Sequence, residues 1–141
     1  MSEPLTPDPA QTESVRSAMP FAGVLDVDML ITTKEEVRGR IVWDESRCTS
    51  GGVLHGGVVM GLADTLGGLC AFLNLPDAAT GTTTIESKTN FLRGVRDGHI
   101  EGVARPLHTG RTVVVIETDV FDAAGKRVAK ILQTQAVLGA R

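Results

Sequence analysis

The 141-residue chain has no tyrosine and one tryptophan, and aromatic residues make up only 4% of it. Its core must therefore be aliphatic, and the aromatic platforms on which single-stranded nucleic acids stack are missing. A basic excess is missing too. The 14 Lys and Arg stand against 17 Asp and Glu, for a formal net charge of −3, which argues against a nucleic-acid partner. Cysteine is scarce: Cys48 and Cys70 form no CxxC pair. With no signal-like leader at the N-terminus, reduced thiols and a cytoplasmic location are expected. The longest interval poor in charge, Val58 to Leu75, is broken by Asp64 and three glycines, so no membrane partner is expected. The three histidines, His55, His99 and His108, have no spacing that puts two on one helix face, and no metal site is expected.

What is present suits one domain. Apolar residues make up 42% of the chain, enough for a single core at this length. Residues 1–13, with three prolines and no hydrophobic period, read as a flexible tail ahead of a domain over 14–141. Ser14 to Phe21 suits a short helical turn ended by Pro20. Gly23–Ile31 and Val37–Trp43 read as a β-hairpin, and Gly56–Asn74 as a long helix stopped by Leu75-Pro76. Thr82–Leu92, His99–Leu107, Arg111–Phe121 and Arg127–Leu138 read as four strands in an antiparallel meander. The expected class is α+β, with about six strands and one long helix.

That helix carries the functional argument. Val58, Val59, Met60, Leu62, Leu66, Leu69, Phe72 and Leu73 surround its circumference, and a helix apolar all round is expected to be buried all round. Its one normally charged residue is Asp64. A carboxylate in such a place must be hydrogen-bonded, open to a cleft or shifted in pKa, the conditions enzymes use for a general base or nucleophile. The alternative is an Asp that merely satisfies nearby backbone donors.

At the helix start, His55-Gly56-Gly57 places small residues where backbone N–H groups lack partners and the dipole is positive. Such a tip suits an oxyanion, and His55 reads first as a structural hydrogen-bonder. Gly57 and Asp64 lie roughly 10 Å apart along the axis, too far for one carbonyl to meet both. A symmetric dimer, with Gly57 of one copy beside Asp64 of the other, resolves this.

The run HGGVVMGLAD (His55 to Asp64) and the later TNFLRGVRDGHIEGVARPLHTGRTVVVIETDVFDAAGKRVA resemble the hotdog-fold acyl-CoA thioesterases. The likeness is greatest to the phenylacetate-degradation and 4-hydroxybenzoyl-CoA thioesterase branch, over about residues 20 to 139. The resemblance implies a curled antiparallel sheet around a central helix, in a homodimer or a dimer-of-dimers tetramer. It implies acyl-CoA hydrolysis, with coenzyme A as part of the substrate and no separate cofactor. Asp64 matches the family's acid, as base or nucleophile, and Gly56 or Gly57 its oxyanion glycine. Arg93, Arg111 and Thr112 match stretches that contact the nucleotide. Two positions depart from the pattern: Thr49 stands where Asn or Gln is common, and Gly68 where Ser or Thr follows the acid, leaving Thr65 as a substitute. A non-catalytic acyl-CoA or small-ligand binder using the same cleft is the rival reading. A dehydratase fits less well, because this helix holds no histidine.

Overall fold

The computed structural model describes residues 3–139. In chain order these form α1 (Pro9–Ala18), α2 (Pro20–Val24), β1 (Asp28–Thr32), β2 (Val37–Val42), α3 (Gly56–Leu73), β3 (Gly81–Phe91), β4 (His99–Thr109), β5 (Val113–Asp122) and β6 (Arg127–Leu138), with two short 3-10 turns before α3. The six strands make one antiparallel sheet in the order β1-β2-β4-β5-β6-β3, and α3 lies across it. This is the α+β hotdog architecture.

The sheet's inner face follows from strict alternation. Along β5, Val114, Ile116, Thr118 and Val120 are buried while their neighbours are partly exposed, as a half-covered strand requires. The inner face packs against Val58, Val59, Leu62, Ala63, Leu66, Cys70 and Ala71 of α3, giving the aliphatic core expected. Asn74 ends the helix, its side chain donating to the carbonyls of Cys70 and Lys34 at 2.8 Å each.

Four expectations need correction. The segment read as a tail is ordered from Asp8 onward. Asp8 caps α1 by accepting from the Gln11 amide at 3.1 Å, and Pro9 takes the first helical position, where proline is favoured. The Asp8 amide donates to Met29 O (2.8 Å), and the Thr12 hydroxyl accepts from the Met29 amide (2.9 Å), tying the segment to β1. Residues 1–2 of the expected tail lie outside the described residues. Pro20 likewise starts α2 rather than ending a turn, so the first strand shrinks to Asp28–Thr32.

The last four strands do not form a simple meander. β4, β5 and β6 do, but β3 pairs with β6 and becomes the outer strand. Finally, α3 is not buried all round. Met60, Asp64 and Phe72 form an exposed stripe at helical spacing. By length and apolarity alone Gly56–Leu73 could cross a membrane, but 50% of it is buried inside the protein.

Candidate active site

Asp64 lies on the exposed stripe of α3, where the helix passes the edge strand β3. Its Oδ1 accepts from the Thr84 hydroxyl at 2.8 Å and from the Gln133 side-chain amide at 2.6 Å. Thr84 is aimed in turn by two amides: Gln135 Nε2 donates to its Oγ1 at 2.7 Å, and Gln133 Nε2 approaches it at 3.2 Å. With both amides pointing at its oxygen, the one Thr84 hydroxyl hydrogen is left for the carboxylate. The strand is built to allow this. Its register shifts between Thr84 and Glu86, leaving Ile85 as the extra residue of a bulge, a device that re-aims side chains near functional sites.

No cation is hydrogen-bonded to the Asp64 carboxylate among the described residues; its partners are neutral. Thr84, Gln133 and Gln135 carry no sequence motif. The available signal was two glutamines at alternate positions of β6, on the same face as the aliphatic Ala129 and Ile131, whose parity places both on the buried side.

The helix tip separates its two glycines. His55 is the N-cap, and its Nδ1 accepts from the Gly57 amide at 2.8 Å. That bond engages Gly57 and sets the ring in the Nε2–H tautomer. The Gly56 amide has no acceptor among the described residues and borders a cavity of about 390 Å³. Val53, Leu54, Val59, Phe91 and Val128 supply apolar walls to this cavity, and Arg93 also borders it. The Phe91 ring lies where a Cβ on Gly56 would come within 3.2 Å of it. A larger surface cleft of about 560 Å³ between α1 and β1 contains neither Asp64 nor these glycines.

The remaining candidates are placed as follows. Thr65 is buried, and its hydroxyl donates back to Gly61 O at 2.8 Å. Thr49 is exposed in the loop before α3, its amide donating to Val53 O at 2.8 Å. Arg93 follows β3, and Arg111 and Thr112 join β4 to β5. Arg93 and Arg111 do not meet within one chain. Their neighbours Phe91 and Val113 pair with Ala129 and Ala136 on β6, roughly 23 Å apart along the strand. Arg105, on β4, is held by Glu36 at 2.8 Å. Cys70 is fully buried, and desolvation pushes its thiol up to about 11, which suits packing rather than nucleophilic attack.

A helix tip with an unpartnered amide and a hydrogen-bonded carboxylate on the same helix thus stand on a hotdog sheet. A model of the thioesterase superfamily matches residues 51–129. A protein assigned as an esterase in Saccharolobus solfataricus is 37% identical over 114 residues, covering 81% of this chain and 80% of its own. The proofreading thioesterase EntH of Cronobacter sakazakii is 35% identical over 88 residues, 62% of this chain and 64% of that one. The 1,4-dihydroxy-2-naphthoyl-CoA hydrolase of Escherichia coli is 31% identical over 87 residues, 62% of this chain and 63% of that one. The two latter matches thus span a little under two thirds of each relative. Among solved structures, a mutant thioesterase from Pseudomonas aeruginosa superposes with a TM-score of 0.84 at 28% identity, covering 94% of this chain and 95% of that one. The chain belongs to the thioesterase superfamily. It is a thioester hydrolase.

Proposed function

We propose that the chain hydrolyses acyl-CoA thioesters with an aromatic or medium-chain acyl group, using Asp64 as general base or nucleophile and the Gly56 amide as oxyanion donor. The observation that carries this reading is the division at the helix tip: Gly57 is engaged by His55, and Gly56 faces an apolar cavity bordered by an arginine. As a base, Asp64 takes a proton from water as the water oxygen attacks the thioester carbon. The oxyanion gathers at the Gly56 N–H, and collapse expels the CoA thiolate, leaving the free acid. As a nucleophile, Asp64 forms a mixed anhydride that water then opens. Neither route needs a metal. Arg93 suits a CoA phosphate, since guanidinium pairs with phosphate oxygens through two parallel bonds.

Eight residues of helix separate Gly56 from Asp64, about 12 Å, so the proposal places each site across a homodimer interface. The exposed Met60 and Phe72 on α3 and the 62% exposed Ile85 on the unpaired edge of β3 support such an interface. Within it Arg111 and Thr112, far from Arg93 in their own chain, would serve the nucleotide of the other site. A cytoplasmic location belongs to the same proposal.

The test is thiol release from benzoyl-CoA and hexanoyl-CoA. Asp64→Asn is expected to lose turnover by orders of magnitude while remaining dimeric. Mixing inactive Asp64→Asn with inactive Gly56→Pro should restore about a quarter of wild-type activity, because half the dimers are mixed and half their sites are intact. Full activity in Asp64→Asn overturns the role of Asp64. No recovery on mixing, with exchange of subunits demonstrated, overturns the shared site.

A further inference from the structure

We propose that Gln133 is a positioning residue for the reaction: its buried side-chain amide fixes Oδ1 of Asp64, so that Oδ2 is the oxygen that meets water or substrate. The inference rests on the reading of Asp64 as the reacting carboxylate and adds a residue and an atom to it.

The geometry is specific. Gln133 is fully buried, and its Nε2 donates to Asp64 Oδ1 at 2.6 Å. Thr84, steered by Gln135, donates to the same oxygen at 2.8 Å. Oδ1 thus accepts two bonds from neutral donors, and no hydrogen bond within the chain is made to Oδ2 among the described residues. Neutral donors hold the carboxylate in place without pairing its charge with a cation.

The fold accepts two penalties to keep this amide. The Gln133 Oε1 is buried with no hydrogen-bond partner among the described residues, a state that buried polar groups rarely adopt. Gly67 sits inside α3, and a Cβ there would lie 2.0 Å from that same Oε1. A glycine within a helix costs stability relative to alanine. An aliphatic residue at 133 with alanine at 67 would remove both penalties. Turning the amide over is no remedy, because it would set Oε1 against the carboxylate oxygen. The orphaned carbonyl and the missing Cβ are therefore the two consequences of one orientation, the one that aims Nε2 at Asp64.

Full-length Gln133→Ala and Gly67→Ala, and the pair combined, test this by steady-state hydrolysis of benzoyl-CoA and hexanoyl-CoA beside thermal melting. Each single variant should lower kcat by about ten- to hundredfold, the loss of a hydrogen bond to a charged group, with KM within about twofold. In the double variant the methyl added at position 67 enters space that Gln133 vacated, so melting temperature should recover relative to Gln133→Ala, but kcat should not. Recovery of kcat together with stability overturns the proposal, since Gln133 is then only packing. So does a wild-type kcat in Gln133→Ala. If Gln133→Ala does not fold, Gly67→Ala and Thr84→Val decide, and wild-type kcat in both overturns the proposal. Asp64→Asn separates the two levels. If it hydrolyses normally, the reading of Asp64 fails and this inference with it. If it is inactive while the Gln133 and Gly67 variants keep kcat, only this inference fails.

Discussion

The Gly57 amide donates to Nδ1 of His55 at 2.8 Å, and this bond separates two neighbouring glycines that look equivalent in sequence. One is committed to capping the helix, and the other keeps an N–H without an acceptor among the described residues. Gly56→Pro deletes that N–H at the first helical position, where proline is tolerated. His55 already has the extended backbone, φ −61 and ψ 135, that a residue before proline adopts. Turnover should fall by about 10² to 10³-fold, the usual consequence of losing one oxyanion donor. His55→Ala should instead cost about 1 kcal/mol of stability, as the loss of a cap does, with less than about a tenfold change in kcat. Equal losses of kcat in both variants would return the oxyanion role to Gly57.

Gly39 and Gly102 face each other across β2 and β4 and form a bare patch on which Leu66 rests. A Cβ on Gly39 would lie 2.8 Å from one Leu66 methyl, and a Cβ on Gly102 would lie 2.7 Å from the other. Leu66 is fully buried, so its methyls have little room to yield. Gly102→Ala should destabilise by about 1–3 kcal/mol through overpacking, and Leu66→Ala by about 2–5 kcal/mol through the cavity it leaves. Because the added methyl partly fills that cavity, the double variant should cost less than the sum of the two in urea unfolding. Strict additivity would mean that the two sites relax independently.

Such pairs mark what the amino-acid order made legible. The strand-forming runs and the long apolar segment over α3 identified the class and the helix bounds, and made Asp64 stand out as a candidate, because each rests on local sequence. Strand order did not follow from it: β3 bypasses β4 to pair with β6, and nothing local distinguishes that crossover from a hairpin. Prolines misled twice, since Pro9 and Pro20 begin helices that a breaker rule would end. The partners of Asp64 come from strand positions twenty and sixty-nine residues away, beyond the reach of any spacing rule. The exposed stripe on α3 was hidden for a related reason: residue type alone does not say which apolar side the chain's own sheet covers.

His99 provides a pH test of the fold that is independent of catalysis. It begins β4 opposite Val42, and partial burial, joined by the Arg40 guanidinium, holds its imidazole below the ordinary 6.5; Glu101 and Asp122 oppose the shift more weakly. Above about pH 6.5 the ring is neutral in both folded and unfolded chains and contributes no pH dependence. As pH falls below that value, the unfolded chain binds the proton first, so stability declines until the folded ring titrates as well. Below the folded value the loss is complete and constant. Melting temperature should therefore drop between about pH 6.5 and the lower folded value, and the drop should shrink in His99→Gln, which cannot take up the charge. An unchanged pH profile in that variant would show that another group carries the acid sensitivity.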